Sequence, residues 1–302
     1  MTTIGVVGLG AMGGRIAGRL LARGHLVRGT NRTKAKAHVL MKQGLVWCYT
    51  PRATAQGSDI VISMVTNDDA LAAVVEGPDG ILAGLSPGKI YVDMSTVSPR
   101  ASRALAERVG SRGATMLAAP VSGSVPAAEA GSLAIIAGGP ADAFERVQPI
   151  LHELGSTVTR VGDVDHALLL KLAINISLAV QMLAFSEGLL LAEHGGVDRA
   201  VALEVMTTSA IGSPMLQARA PLLRDLPEDA WFDVDMMQKD LRLALDSGRG
   251  EGLLLPSTTV ANDMLSAARE AGYEHRDIAV LLRTLADLVI ARAGRTPGSA
   301  AA

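Results

Sequence analysis

The stretch "TIGVVGLGAMGGRIAGRLLARG", residues 3–24, decides the fold. It opens on a short apolar, β-branched run that ends in glycine, the pattern of a buried strand. Gly8, Gly10 and Gly13 then stand in the spacing G-x-G-x-x-G, and the remainder reads as a helix stopped at Gly24. Between a strand and a helix each glycine has its own task. The first permits a tight turn, the second lets backbone approach a pyrophosphate, and the third lets helix pack closely on strand. The helix N-terminus then turns its free N–H groups toward the phosphates. Ala11 and Met12 belong to the same turn. A dinucleotide-binding unit is expected at this end of the chain.

The same alternation continues. "HLVRGTNRT" is a second strand and turn, and "AKAHVLMKQG" a helix stopped at Gly44. "SDIVISMV" is a strand ending in Met64 and Val65, and "NDDALAAVV" a helix capped by Asn67 or Asp68. "KIYVDMST" is a strand, followed by the helix "SPRASRALAERVGSRG". "TMLAAPVSG", "SLAIIAGG" and "STVTRVG" are strand-like, with the helix "PADAFERVQPILHELG" between the last two. This predicts an α/β domain with a doubly wound parallel sheet over residues 1–164. After "GDVDH" (162–166) the strands stop. Helices are expected over 166–194, 198–208, 213–223, 232–249, 255–271 and 275–293, an all-α domain spanning 165–293. The small, polar tail 294–302 reads as disordered.

Composition narrows the function. Of 302 residues, 49% are hydrophobic and 19% charged, which supplies a sizeable core and argues against disorder. Aromatic residues make up 3% and the formal net charge is −2, so neither stacking platforms nor a basic footprint for nucleic acid is expected. The single cysteine, Cys48, makes no internal disulfide and fits a reducing compartment. The first residues lack a positively charged leader, so a cytoplasmic location is expected. The six histidines show no metal-ligand spacing, and no metal site is expected.

The end of the second strand, "GTNRT", bears on the cofactor. A site for NAD usually places an acidic residue there, on the ribose 2′-hydroxyl. This chain has Asn31, Arg32 and Thr33. A cation flanked by hydrogen-bonding side chains suits a 2′-phosphate, so NADP(H) is expected rather than NAD.

Three further stretches carry candidate chemistry. "DMSTVSP" (93–99), with Thr96, closes a strand at the carboxyl edge of the sheet, where ligands of open α/β folds bind. "APVSGSVPAAEAG" (119–131) reads as a loop of small residues. Ser122 and Ser124 offer hydroxyls and Gly123 a backbone N–H to a carboxylate; the alternative is an ordinary flexible loop. "KLAINISLAVQMLAFSEGLLLAEHGG" (171–196) is a long apolar helix. Its length would suit a membrane span, but Lys171, Asn175, Gln181 and Glu187 favour a buried helix of a folded domain over one in lipid. Lys171 and Asn175 lie one turn apart on one face. The lysine is either a snorkelling stem or, in a cleft at the domain boundary, a proton donor whose pKa desolvation lowers. Lys239 and Asp240, in "MMQKDLRLALDSG", read as a charge pair on a solvated helix face.

Together "GLGAMG", "APVSGS", "AGSL…AGG", "KLAIN" and "QKDLRLAL" resemble the β-hydroxyacid dehydrogenases, which include 3-hydroxyisobutyrate dehydrogenase and the glyoxylate/succinic semialdehyde reductases. The resemblance covers nearly the whole chain. It implies a Rossmann-type domain and an NADP-dependent oxidoreductase acting on a small carboxylate-bearing aldehyde and the matching hydroxy acid. It implies a catalytic role for Lys171 and an orienting one for Asn175. Ser122, Gly123 and Ser124 match the loop that binds the substrate carboxylate, and Thr96 a threonine near the nicotinamide. Lys239 matches a lysine closing over cofactor and substrate, with Asp240 beside it, and Phe232 a residue lining the substrate pocket. The chain departs from the family pattern at Ala118, Ser124 and Ile174, which leaves the substrate open. Imine reductases share the glycine loop and "NRT" but usually replace the lysine. An NADP-binding module without catalysis is the alternative of another class. A helix apolar all round also leads us to expect a homodimer or homotetramer.

Overall fold

The computed structural model describes residues 2–293, with side chains through residue 290; the tail read as disordered lies outside the described residues. The chain divides into two compact units between Ala173 and Ile174.

The first unit is built on nine strands: β1 (Thr3–Val7), β2 (Leu26–Thr30), β3 (Val46–Trp47), β4 (Ile60–Ser63), β5 (Ile90–Asp93), β6 (Thr115–Ala118), β7 (Val121–Ser122), β8 (Leu133–Gly138) and β9 (Gly155–Gly162). The first six lie in the order β3-β2-β1-β4-β5-β6, all parallel. The order reverses between β1 and β4, the position where open α/β sheets bind ligands. Ile4, Val6, Ile62, Ile90, Val92 and Leu117 from these strands pack with Ile16, Leu20, Val147 and Leu151 from helices in one buried cluster. The strands are mostly apolar because sheets of this kind are covered on both faces.

The doubly wound, predominantly parallel sheet expected from the alternation is present, with antiparallel pairing at one edge. β8 runs antiparallel to β6 and β7, and β9 runs parallel to β8. The reason is connection length. Only residues 123–132 join β7 to β8, and a parallel return needs a crossover of about a dozen residues or more. Within that connection the expected loop of small residues holds a helix, Val125–Ala130. The expected helix over 35–44 is a 3₁₀ turn, Lys34–Ala37, followed by a short α-helix, His38–Lys42. β3 and the short helices Pro51–Gln56 and Ile81–Gly84 lacked a periodic signal long enough to read.

A single helix, Val164–His194, carries the chain across the division at Ala173/Ile174. By length and composition it could cross a membrane, and 44% of its most apolar stretch is buried within the chain. The second unit continues with helices Arg199–Thr208, Pro214–Arg224, Val234–Gly250, Pro256–Glu270 and Leu281–Ala293. Side chains fix where they start: Asp198, Ser213 and Asp233 accept N–H bonds in the first turns that follow them. Met182, Leu189, Met237, Leu241, Ala261, Leu265 and Ile278 form the centre of this unit's core.

Candidate functional site

The glycine turn is assembled by collisions that only glycine avoids. Gly8 has φ +94°, and a Cβ there would lie 2.3 Å from the Met64 carbonyl oxygen. A Cβ on Gly13 would lie 1.9 Å from the Gly8 carbonyl oxygen. Gly10 differs: a Cβ there meets no protein atom within 4 Å. Gly8 and Gly13 thus serve the protein's own packing, whereas Gly10 keeps an approach clear. Gly10 also precedes helix Ala11–Ala22 without a side-chain cap, leaving its first N–H groups to another partner. These residues fit a dinucleotide pyrophosphate.

Asn31 bonds within the chain on both sides of its amide. Its Oδ1 accepts the Leu9 N–H at 3.1 Å and its Nδ2 donates to the Thr33 carbonyl at 3.1 Å. The amide therefore ties the glycine turn to the end of β2. Arg32 and Thr33 beside it are exposed. Met64 donates its N–H to Val7, which brings Met64 and Val65 against the glycine turn.

At the next strand ends, Val65 N–H donates to Ser95 Oγ at 3.0 Å, and Thr96 follows directly, partly buried. Ser122, Gly123 and Ser124 leave β7 with Gly123 at φ +127°. A Cβ on Gly123 would press on Ala127 and Leu133, both at 3.0 Å, so the bend depends on glycine.

Lys171 and Asn175 lie one turn apart on helix Val164–His194 and are 8% and 1% exposed, so neither is a solvated side chain. In the second unit, Asn175 Nδ2 donates to Asp240 Oδ2 at 2.5 Å, and Lys239 Nζ lies 2.8 Å from Asp240 Oδ1. The solvated charge pair expected at Lys239 and Asp240 is corrected here: Asp240 is 1% exposed. A buried carboxylate needs compensation on both oxygens, and Lys239 and Asn175 supply it. That bond fixes the amide nitrogen as a donor. Phe232 is partly buried against the second core, and its N–H donates to Asp277 Oδ2 at 3.0 Å. Among the described residues no His/Cys/Asp/Glu group is placed to hold a metal.

Sequence reading missed Asp93, Ser63 and Ser95. Asp93 is fully buried at the end of β5, and burial pushes its carboxyl up to about 6 against the hydrogen bonds it accepts. The available signal was a carboxylate and a serine closing two apolar strands, with a second serine two residues after the carboxylate.

Residues 3–162 match the family described as the NAD binding domain of 6-phosphogluconate dehydrogenase. Residues 166–285 match that described as NAD-binding of NADP-dependent 3-hydroxyisobutyrate dehydrogenase. The chain belongs to the β-hydroxyacid dehydrogenase family. Among its relatives, a 3-hydroxyisobutyrate dehydrogenase of Pseudomonas aeruginosa is 33% identical, over 92% of this chain and 96% of that one. Glyoxylate/succinic semialdehyde reductase 2 of Arabidopsis thaliana, a chloroplastic protein, is 31% identical, over 94% and 79%. The solved structure of Psf3 with NADP+ and 2-OPP is 28% identical with a TM-score of 0.86, covering 93% and 99%. An imine reductase from Pseudomonas sp. shares the fold, at 23% identity and a TM-score of 0.63 over 94% and 99%. As a β-hydroxyacid dehydrogenase, the chain is an oxidoreductase built to use a nicotinamide dinucleotide.

Proposed function

We propose that this dehydrogenase uses NADP(H) to interconvert a small carboxylate-bearing aldehyde, of the glyoxylate, succinic semialdehyde or methylmalonate semialdehyde type, and its hydroxy acid. The observation that carries the reading is the buried pair Lys171 and Asn175 on one helical face, with the Asn175 amide held by Asp240. The exposed Arg32, standing where an acidic residue would serve NAD, supports the phosphorylated cofactor. The NADP+ named for the similar Psf3 structure supports it too.

When bound, the nicotinamide supplies or accepts the hydride. The chain's own residues handle the proton and the orientation. In reduction the Lys171 ammonium gives a proton to the aldehyde oxygen as it becomes a hydroxyl; in oxidation the neutral amine removes it. Asn175 orients the substrate at the same hydroxyl. The Ser122 and Ser124 hydroxyls and the Gly123 N–H anchor the substrate carboxylate, with Lys239 adding a counter-charge and Phe232 shaping the pocket. Thr96, Met64 and Val65 border the cofactor. The same reading includes a homodimer or homotetramer and a cytoplasmic site of action.

The test is NADPH consumption with glyoxylate, succinic semialdehyde, methylmalonate semialdehyde and a cyclic imine, for the wild type and Lys171→Ala. One of the three aldehydes is expected to be turned over. The variant should fall by about 100- to 10,000-fold, the usual contribution of a positioned acid or base. A folded variant with near-wild-type turnover would overturn the mechanism. Turnover of the imine alone would overturn the substrate class.

A further inference from the structure

Asp93 is the one buried carboxylate at the strand ends of the first unit that this chemistry does not use. Three donors converge on a single oxygen, Oδ1: Ser63 Oγ at 2.6 Å, Ser95 Oγ at 2.7 Å and Ser95 N–H at 3.2 Å. The donors come from two residues, Ser63 and Ser95. Ser63 ends β4, in register with Asp93 on β5. Its only hydroxyl proton goes to Asp93, so the Tyr91 hydroxyl, 2.7 Å away, donates to Ser63. The Ser95 N–H closes a turn that sets the chain's direction just before Thr96. The Ser95 hydroxyl acts at both ends, donating to Asp93 and accepting from Val65 N–H at 3.0 Å. Val65 in turn borders the glycine turn: a Cβ on Gly8 would lie 3.3 Å from Val65 Cγ1.

A neutral acceptor could hold one of these donors. Holding all three at once in a dry interior asks for a charge, because charge-assisted bonds are roughly twice as strong as neutral ones. The titratable neighbours are Tyr91 on the same strand, which burial keeps neutral, and Asp68 at the start of helix Asp68–Val75, whose charge opposes ionisation. β4 contributes Ser63, and β6 with the residue after it contributes Ala118 and Ala119. No cation among these neighbours offsets the charge. Asp93 Oδ2, also buried, has no hydrogen-bond partner among the described residues.

We propose that Asp93 is a positioning residue for the nicotinamide dinucleotide: its carboxylate ties the ends of β4 and β5 together and so fixes the backbone at Val65 and Thr96. The proposal rests on the reading of Met64, Val65 and Thr96 as the cofactor's border. The ionised carboxylate is the working form. Protonation below about pH 6 weakens Oδ1 as an acceptor and releases Ser95, and with it Val65.

The experiment compares wild type, Asp93→Asn and Ser95→Ala. It measures NADPH binding by fluorescence titration, KM for NADPH and for the aldehyde, and kcat, from pH 5 to 8, with thermal unfolding as a check on folding. Ser95→Ala keeps the carboxylate and removes the hydroxyl that links it to Val65, so the test stands even where Asp93→Asn fails to fold. Both variants are expected to bind NADPH about tenfold more weakly at pH 7.5, with aldehyde KM and saturated kcat changed less than threefold. The wild type should bind NADPH more weakly as pH falls through about 6. Ser95→Ala should be flat there, its link being gone already. Folded Ser95→Ala with wild-type affinity and the wild-type pH profile would overturn the proposal. A parallel loss of kcat and aldehyde KM would overturn it as well, pointing to general loosening. A wild type that binds no NADPH would instead overturn the cofactor reading on which the proposal stands.

Discussion

Gly8 and Gly10 are two residues apart and do opposite things. Gly8 is bound to the fold by its positive φ and by the Met64 carbonyl; Gly10 faces no protein atom. Gly8→Ala is therefore expected to weaken folding by about 2 kcal/mol or more, from backbone strain plus a collision with main chain. Gly10→Val should leave the unfolding midpoint within a few degrees of wild type and raise the NADPH dissociation constant at least about tenfold. Thermal unfolding and fluorescence titration read the two effects separately; the opposite pattern would refute the assignment. Spacing made all three glycines and their division of labour legible in the sequence, and the collisions at Gly8 and Gly13 beside the open Gly10 agree with it. Asp93 was not legible at all. Its position beside Ser63 is a matter of sheet register, and register is set by pairing between strands nearly thirty residues apart in the chain.

Among elements, the proposed cofactor preference is assigned to the turn after β2. Arg32 is exposed and Asn31 bonds Leu9 and Thr33, so the proposal assigns the 2′-phosphate to the arginine. Arg32→Ala is expected to raise KM for NADPH by about 10- to 100-fold, as hydrogen bonds to charged groups are worth about 1.5–3 kcal/mol. KM for NADH should change less than about threefold. Steady-state kinetics with both cofactors decides; equal losses would remove Arg32 from the specificity reading. Element types were readable wherever a long periodic run met a cap or a glycine stop, as at Ala11–Ala22 or Val234–Gly250. They were not where the run was short. Val125–Ala130 is six residues of small side chains, and its composition is that of a loop as much as of a helix. Lys239–Asp240 was legible as a charge pair but not as a buried one, because burial depends on Asn175, 65 residues away.

On the scale of the whole molecule, helix Val164–His194 leaves apolar surface uncovered: Leu169, Leu170 and Leu191 are exposed, as are Val201 and Val205 on the next helix. Self-association is the expected consequence. Light scattering should give at least twice the mass of one chain at micromolar concentration, and a stable monomer would refute it. The α/β character of the first unit and the helical second unit were legible from periodicity. The antiparallel edge was not, since the strand signals of β8 and β9 carry no direction. The division within one helix has a further meaning for how such a chain can be recombined. A chimaera joined at Ala173/Ile174 keeps Lys171 and Asn175 aligned only if the junction conserves helical phase. One inserted residue would turn the asparagine about 100° away from the lysine's face, while seven would bring it nearly back. Insertions at this seam are thus constrained by helical phase in a way that those at an ordinary linker are not.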